Sequence, residues 1–201
     1  MEKIYETAYA KINLGLDVLG KRSDGYHEVR MVMQSVGLSD AVEIEEGEGL
    51  VVETDHSGLA GGPDNLAWKA AELLARCCGK IPNVHIRLNK KIFLAAGLAG
   101  GSSDAAAVMR GLSRLWQLDL TAPELEKLAA ELGSDIPFCI TGGTALAEGR
   151  GEILTELPEA PELLLVLAKP KLEVATGWVY GNFRQQKVNQ RPDIDGIIKA
   201  L

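Results

Sequence analysis

Cysteine is scarce in this sequence, with three residues among 201 and no Cys-x-x-Cys arrangement. Cys77 and Cys78 are adjacent, whereas Cys139 lies far along the chain. This spacing argues against the paired cysteines of a zinc knuckle and offers no disulfide framework. We therefore expect a protein of the reducing cytoplasm.

Long apolar runs and basic clusters are missing as well. The best apolar candidate, residues 163–168, has the length of a strand and is too short to cross a bilayer. The first 20 residues carry acidic side chains and alternate like a strand, which is not the pattern of a signal peptide. With a formal net charge of −7 and no Lys/Arg-rich stretch, the sequence predicts neither a membrane nor nucleic acid as a partner.

The first third of the chain has the apolar alternation of strands. Alternation predicts a strand over residues 4–20, an Asp-Gly turn at residues 24–25 and a second strand over 27–38. Residues 40–54 then read as two more strands around a Gly-Glu-Gly turn. The start of the chain is therefore predicted to be a β-meander.

Helical periodicity begins at about residue 64. It predicts a helix with Asp64 as its N-cap and Gly79 past its end, then a strand over residues 83–92. A helix over residues 103–118 is apolar nearly all round, which indicates burial, and a shorter helix follows a cap at Thr121.

The last third mixes strands and helices. Residues 134–157 are predicted to return to strand and turn, and residues 162–168 to form a buried strand. A short helix over 174–183 and an amphipathic tail follow. A β-rich start followed by mixed elements favours an α+β fold over a doubly wound parallel sheet.

The run GLAGGSSDAA, residues 97–106, places glycines directly before the buried helix. The first N–H groups of a helix have no partner within it, and glycines let an anion approach them closely. The spacing fits neither the Walker A loop nor the dinucleotide fingerprint GxGxxG. Taken alone, the run is a structural loop about as often as a phosphate site.

Two charged residues add the other ingredients of phosphoryl transfer. Lys11 lies in mid-strand, where a lysine is more often an edge charge, and Asp135 follows a Gly-Ser turn, where aspartate commonly bonds its own backbone. Phosphoryl transfer needs a phosphate cradle, a group that neutralises charge and a group that accepts a proton. The spacing alone does not show that the two side chains meet.

Three separated segments make a resemblance specific. KKIFLAAGLAGGSSDAA, residues 90–106, resembles the glycine-rich signature of the GHMP kinase superfamily, although Phe93 stands where that family usually has proline. AYAKINLGLDVLGKRSDGYHEV and ELGSDIPFCITGGTALAEGRGE, residues 8–29 and 131–152, look like one branch of it. That branch is the 4-diphosphocytidyl-2-C-methyl-D-erythritol kinases of the non-mevalonate isoprenoid pathway.

The resemblance implies a reaction and roles for named residues. It implies ATP-dependent phosphorylation of the 2-hydroxyl of 4-diphosphocytidyl-2-C-methyl-D-erythritol, with Asp135 taking the hydroxyl proton and Lys11 paired with it. ATP is then the co-substrate and Mg²⁺ is expected with it, with no protein ligand assigned. The partners implied are small molecules, ATP and the cytidine diphosphate derivative.

The same resemblance implies the binding residues. For the substrate, it implies contact by Asn13, which is on the same strand face as Lys11. Tyr26 would stack on the cytosine ring and His27 would hydrogen-bond its edge. Tyr180 would be a second aromatic at the base, with Trp178 or Phe183 as alternatives. The ATP residues are the backbone of Gly97, Leu98, Ala99, Gly100, Gly101, Ser102 and Ser103. Asn65 is either near the adenine or only a helix cap, and the two readings are even.

The family also implies a domain arrangement. Residues 1–155 correspond to the GHMP-kinase N-terminal domain, of the ribosomal protein S5 domain 2-like fold, which binds ATP and carries the catalytic residues. Residues 156–201 correspond to the start of a ferredoxin-like C-terminal substrate domain, which in the family continues to a third glycine-rich motif. Two alternatives remain: a sister kinase for homoserine or a mevalonate, and a nucleotide-binding module without catalysis.

Overall fold

The computed structural model describes residues 3–172, 174, 176–184 and 188–201, which form six strands and six helices. The strands are β1 (Lys3–Lys21), β2 (His27–Glu46), β3 (Leu50–Thr54), β4 (Val84–Asn89), β5 (Thr144–Glu148) and β6 (Ile153–Glu156). The helices are α1 (Leu66–Cys78), α2 (Gly100–Leu115), α3 (Ala122–Ala129), α4 (Ile136–Thr141), α5 (Thr176–Asn182) and α6 (Ile194–Ala200). This mixture confirms the α+β class.

β1 and β2 form a long antiparallel hairpin in which β2, paired on both sides, is the central strand of the sheet. β1 pairs with β2 from Lys3 opposite Glu45 to Lys21 opposite His27, so the predicted Asp-Gly turn is confirmed. β2 continues to Glu46 without a break, whereas the sequence predicted two strands there. Alternation does not stop at residue 39, and both edges of β2 find partners along its length.

The other strands do not continue the hairpin in sequence order, so the predicted meander is wrong beyond β2. The sheet runs β3-β4-β2-β5-β6, with β1 on the other edge of β2. β4 lies between β2 and β3 and pairs with β3 in parallel. A parallel pair needs a crossover connection, which α1 supplies here.

Helix α2 is the centre of the hydrophobic core. Ten of its residues are buried, and it packs against the sheet, α1 and α4. The predicted burial is therefore confirmed. The helix begins at Gly100, three residues earlier than its apolar pattern indicates, so the second half of the glycine run is helical.

Residues 136–141 form helix α4, and the predicted strand is wrong. Ile, Phe, Cys and Ile in a six-residue apolar run have no period that separates a strand from one buried helical turn. Pro137 in the first turn favours a helix start, because its missing N–H would have no partner there. β5 and β6 then confirm the rest of that segment as strand and turn.

The segment after β6 differs most from expectation. Residues 157–172 form neither strand nor helix, although residues 162–168 were predicted to be a buried strand. Leu164 is 100% exposed and Val166 92%. Helix α5 confirms the predicted short helix, and α6 shows that part of the amphipathic tail is helical. No helix in the described part of the chain has the length and apolarity to cross a membrane.

Candidate active site

Lys11 and Asp135 meet although 124 positions separate them in the sequence. The Lys11 Nζ atom lies 3.6 Å from Oδ2 of Asp135. The lysine is buried, with 5% of its surface exposed, whereas a third of the aspartate side chain faces solvent. A buried ammonium needs a carboxylate partner, and a partly exposed carboxylate can reach a ligand. The site therefore combines one enclosed charge with one accessible charge.

Local backbone geometry presents both side chains. The β1–β2 register shifts between Tyr9 and Lys11 and again between Asn13 and Gly15, so irregular strand flanks the lysine on both sides. Such bulges commonly redirect a side chain next to an active site. Asp135 occupies the N-cap position of α4 with helical dihedrals, and its carboxylate makes no capping bond.

Asn13 belongs to the same cluster. Its Oδ1 atom accepts a hydrogen bond of 3.4 Å from the Lys11 ammonium. The shared strand face inferred from the two-residue spacing is therefore confirmed. Lys11 thus has two oxygen partners, the Asn13 amide and the Asp135 carboxylate.

The glycine run is bonded directly to the strand that carries Lys11. The Lys11 N–H donates to the Leu98 carbonyl at 3.1 Å, while the Leu98 side chain is buried in the core. Gly97 and Ala99 both have positive φ, 71° and 59°, and they turn the chain into α2. The entrance to this helix is thus held beside the Lys11–Asp135 pair by a backbone hydrogen bond.

The first turn of α2 contains donors free for an anion. The first helical bond runs from the Ser103 N–H to the Ala99 carbonyl at 2.8 Å. Gly100, Gly101 and Ser102 precede it, so their N–H groups have no acceptor within the helix. These three amides lie at the positive end of the helix dipole, an arrangement that can accept an anion.

Ser103 differs from the rest of the predicted ATP set. Its N–H is occupied by Ala99, its hydroxyl donates to the Tyr9 carbonyl at 2.5 Å, and the residue is 1% exposed. Both donors of Ser103 therefore have protein partners in this structure, whereas its role in binding ATP stays a prediction. Its hydroxyl fastens α2 to β1, two residues before Lys11.

A buried ionic cluster lies behind the glycine run. The Lys90 ammonium contacts the carboxylates of Asp40 and Asp104, and all three side chains are at most 2% exposed. Asp104 thus points away from the phosphate side, as expected from its charge. Burial raises the pKa of its carboxyl to about 7 against the opposing effect of the Lys90 ammonium, and its Oδ1 atom has no partner.

Asn65 is the N-cap of α1, and Asp64 is not. Its side-chain oxygen accepts from the Ala67 N–H at 2.9 Å, and its amide nitrogen donates to the Ala60 carbonyl at 2.8 Å. The sequence did not distinguish a capping role of Asn65 from a contact with adenine, and the structure shows the capping hydrogen bond. The following Leu66 side chain reaches 3.5 Å from the position that a Cβ on Gly101 would take, so this cap adjoins the glycine run.

Three aromatic rings, those of His27, Tyr180 and Phe183, form a group. The His27 and Tyr180 rings are 5.2 Å apart, and Phe183 meets His27 edge-on at 6.5 Å. Burial, and to a lesser extent the charge of the Asp135 carboxylate, raises the pKa of the Tyr180 hydroxyl. Trp178, the other alternative, is 64% exposed.

Tyr26 stands apart from that group and has a partner that the sequence did not predict. The Arg150 guanidinium lies 4.9 Å above its ring, and Tyr26 is otherwise half exposed. Tyr180 therefore pairs with His27 and not with Tyr26. Arg150 lies between Gly149 and Gly151, both of positive φ, in the turn between β5 and β6, and no local sequence pattern indicated its contact with Tyr26.

Comparison with known proteins agrees with this geometry. A sequence model of the GHMP kinases N terminal domain matches residues 65–143. A 4-diphosphocytidyl-2-C-methyl-D-erythritol kinase of Acetivibrio thermocellus is 48% identical over 100% of this chain and 71% of the relative. Another from Geobacillus kaustophilus is 48% identical over 96% of this chain and 68% of the relative.

Solved structures show the same relationship. A 4-(cytidine 5'-diphospho)-2C-methyl-D-erythritol kinase superposes with a TM-score of 0.78 at 35% identity, covering 98% of this chain and 71% of that one. A mevalonate kinase has a TM-score of 0.59 at 14% identity, over 77% of this chain and 56% of its own, which shows a shared fold. With the resemblance of the three motifs confirmed by identity over its whole length, the chain belongs to the 4-diphosphocytidyl-2-C-methyl-D-erythritol kinase family of the GHMP kinases.

Proposed function

We propose that this protein transfers the γ-phosphoryl group of ATP to the 2-hydroxyl of 4-diphosphocytidyl-2-C-methyl-D-erythritol, a step of the non-mevalonate isoprenoid pathway. The observation that carries the proposal is the 3.6 Å Lys11–Asp135 pair, whose lysine backbone is bonded to the glycine run. A proton acceptor, a cation and an anion site thus lie next to one another. Membership of the kinase family supports the same proposal independently of the geometry.

The chemistry assigns one task to each part of the site. The substrate hydroxyl oxygen bonds to the γ-phosphorus as the bond to the β–γ bridging oxygen breaks, and ADP leaves. Asp135 accepts the hydroxyl proton, because its carboxylate is the accessible member of the pair. Lys11 keeps that carboxylate in place and offsets charge on the moving phosphoryl group. The free amides of Gly100, Gly101 and Ser102 hold the phosphates.

Mg²⁺ enters this proposal as the ion bound to ATP. No group of three or more His, Cys, Asp or Glu side chains in the described ranges could hold a metal ion by itself. Mg²⁺ usually takes one or two protein oxygens together with phosphates and water, and this donor set fits such a site and no all-protein cage. When bound, the ion neutralises phosphate charge.

Substrate recognition is assigned to the aromatic group and its neighbours. Tyr26 would stack on the cytosine, with the Arg150 guanidinium on its other side, and His27 would bond the base edge. Tyr180 would close the site between His27 and Asp135, and Asn13 would contact the substrate beside Lys11. Asn65 would support the adenine side through the helix start that it caps.

The domain division remains part of the proposal. We assign ATP binding and catalysis to residues 1–155 and the start of a ferredoxin-like substrate domain to residues 156–201. The sheet ends with β6 at Glu156, and α5 beyond it brings Tyr180 to His27. Free thiols at Cys77, Cys78 and Cys139 support the reducing cytoplasm as its location.

The proposal is tested by replacing the proton acceptor. We expect Asp135→Asn to lower kcat about 10²–10⁴-fold, because an amide cannot accept the hydroxyl proton. The ATP dissociation constant should stay within about twofold, since the phosphate amides lie on α2. The measurements are coupled ADP release and calorimetric ATP titration, and Asp119→Asn, an exposed carboxylate after α2, is the matched control.

The choice of acceptor distinguishes the alternatives. The wild-type protein should release ADP with the cytidylyl substrate and not with homoserine or mevalonate. Turnover with one of those instead would show a sister kinase. Binding of ATP without turnover of any acceptor would show a nucleotide-binding module, and wild-type turnover by Asp135→Asn would remove Asp135 from the role.

A further inference from the structure

Arg110 is an arginine in the middle of the most buried helix of the protein, and nothing in the proposed reaction uses it. Its guanidinium reaches two other elements. It donates to the Thr7 carbonyl on β1 at 3.0 Å and to the Cys139 carbonyl on α4 at 2.7 Å. It also contacts the Ile140 carbonyl at 3.3 Å and the Glu6 carboxylate at 3.0 Å. One side chain of α2 therefore links β1 to α4.

Those two elements carry the two catalytic groups. Thr7 is four residues before Lys11 on β1, and Cys139 is four residues after Asp135 on α4. The guanidinium thus bonds β1 about 13 Å along the strand from Lys11, and it bonds α4 about 6 Å along the helix from Asp135. Its planar fork of five donors fixes several acceptors in one geometry, which an ammonium cannot do.

The direct contact between Lys11 and Asp135 does not by itself fix their spacing. The Asp135 carboxylate makes no capping bond, and its contact with Lys11 is 3.6 Å, longer than a good hydrogen bond. Helix α4 has only six residues; it packs on α2 and α3, and its Phe138 side chain joins an apolar cluster with β2 and β5. To this packing Arg110 adds directional hydrogen bonds from one guanidinium to backbone carbonyls of both α4 and β1.

We propose that Arg110 is a positioning residue for phosphoryl transfer, which sets the distance between Lys11 and Asp135 by joining the strand of one to the helix of the other. This inference rests on the proposed function of that pair. A displacement of about 1 Å at reacting groups can lower a rate about 10²-fold. We therefore expect Arg110→Met to lower kcat about 10–100-fold with the ATP KM within about twofold.

Arg114 supplies a matched control one turn further along α2. It bonds the Tyr5 carbonyl at 3.3 Å and the Glu6 carboxylate, so it shares the strand and the acid but does not reach α4. Arg114→Met should keep kcat within about twofold. Glu6→Gln, which weakens the ion pairs and leaves the Arg110–carbonyl bonds, should do the same.

Two further measurements separate positioning from stability. Arg110→Lys should recover part of kcat, because a lysine can still donate to one of the carbonyls. A crystal structure of Arg110→Met should show the Lys11 Nζ–Asp135 Oδ2 distance longer than 3.6 Å by about 1 Å or more, on the scale that affects catalysis. If Arg110→Met does not fold, Arg110→Gln, which keeps an amide donor without the fork, takes its place in both measurements.

The outcomes are distinct. Equal kcat in the Arg110 and Arg114 variants, or an unchanged Lys11–Asp135 distance, would overturn the proposal. So would a loss of kcat matched by the loss of folded protein in an active-site titration with ATP. A wild-type protein that phosphorylates nothing would refute the proposed function instead, and the crystallographic distance would still decide whether Arg110 positions the pair.

Discussion

At the scale of single residues, the most unusual charge balance lies behind the glycine run. Lys90, Asp40 and Asp104 are almost completely buried together, so two carboxylates share one ammonium. Burying a charge is costly unless it is paired, and the Asp104 Oδ1 atom has no partner. The second carboxylate is therefore best accommodated when it carries a proton, which agrees with its pKa of about 7.

This cluster predicts a pH dependence of stability with a definite sign. The folded-state pKa of Asp104 is raised from 3.8 to about 7, so between these values the folded protein keeps a proton that the unfolded chain has lost. The contribution of this group to the free energy of unfolding therefore falls as pH rises from about 4 to 7, and the loss is complete above the folded pKa. Asparagine is neutral at every pH and removes this term.

We expect Asp104→Asn to be close to wild type at pH 5 and more stable than wild type at pH 8. The gain should be on the order of 1–3 kcal/mol, because part of the Lys90 attraction is lost with the charge. Urea unfolding at pH 5, 6, 7 and 8 measures it, with Asp119→Asn as the exposed control. A stability difference that does not change with pH would refute the assignment of the proton to Asp104.

At the scale of elements, the sequence predicted what depends on local pattern. Helices α1 and α2, the long hairpin and the Thr121 cap follow from periodicity, turn residues and capping chemistry, and all are present. The N-H group of Thr121 bonds the Glu124 carboxylate at 2.8 Å, as a capping box requires. These features involve neighbours within a few residues, which a single sequence contains.

The predictions of secondary structure and strand order failed where contacts with residues distant in the sequence determine the structure. Strand β4 enters between β2 and β3 because it pairs with both, and no residue near the Gly-Glu-Gly turn encodes that pairing. The apolar side chains of α4 are buried against distant elements, Ile136 and Ile140 in the core around α2 and α3 and Phe138 against β2 and β5. The Lys11–Asp135 contact also depends on distant residues. It was expected only through the family resemblance, because no local pattern shows that the two side chains meet.

The glycine run allows a prediction about an element rather than a side chain. Gly97 has φ of 71° with nothing within 4 Å of the position of an added Cβ, so Gly97→Ala introduces backbone strain without a clash. Such strain is about 1 kcal/mol. We expect the turn into α2 to relax and the KM for ATP to rise about threefold or more, since 1.4 kcal/mol corresponds to a factor of ten.

Gly49 provides the comparison for that experiment. It has φ of 72° and equally open surroundings, but lies in the turn between β2 and β3. Gly49→Ala should lower the free energy of unfolding by a similar amount and leave the KM for ATP unchanged. Similar KM values in both variants would show that the geometry of the glycine run does not limit nucleotide binding.

At the scale of the whole molecule, the described residues form a main hydrophobic core with two smaller clusters and leave an apolar segment after β6 exposed. The core lies between the sheet and helices α1 to α4. Residues 163–167, which we call the leucine segment, are instead all exposed, and they lie beside residues 34–38 of β2 around a cavity of about 400 Å³. The chain matches 71% of the length of the Acetivibrio relative, so that relative has residues with no counterpart in this chain.

An exposed apolar strip predicts association of this 201-residue chain. Contiguous exposed apolar surface is typical of interaction sites and promotes self-association. We expect the sedimentation coefficient to rise with concentration in the micromolar range and the double variant Leu164→Glu, Val166→Glu to remain monomeric. Because both side chains already face solvent, the free energy of unfolding should change by less than about 0.5 kcal/mol.

Ile81→Glu, which alters an isolated exposed residue, is the control and should associate like wild type. Association that persists in the double variant would place the contact elsewhere, whereas a large loss of stability would show that the leucine segment is buried in solution.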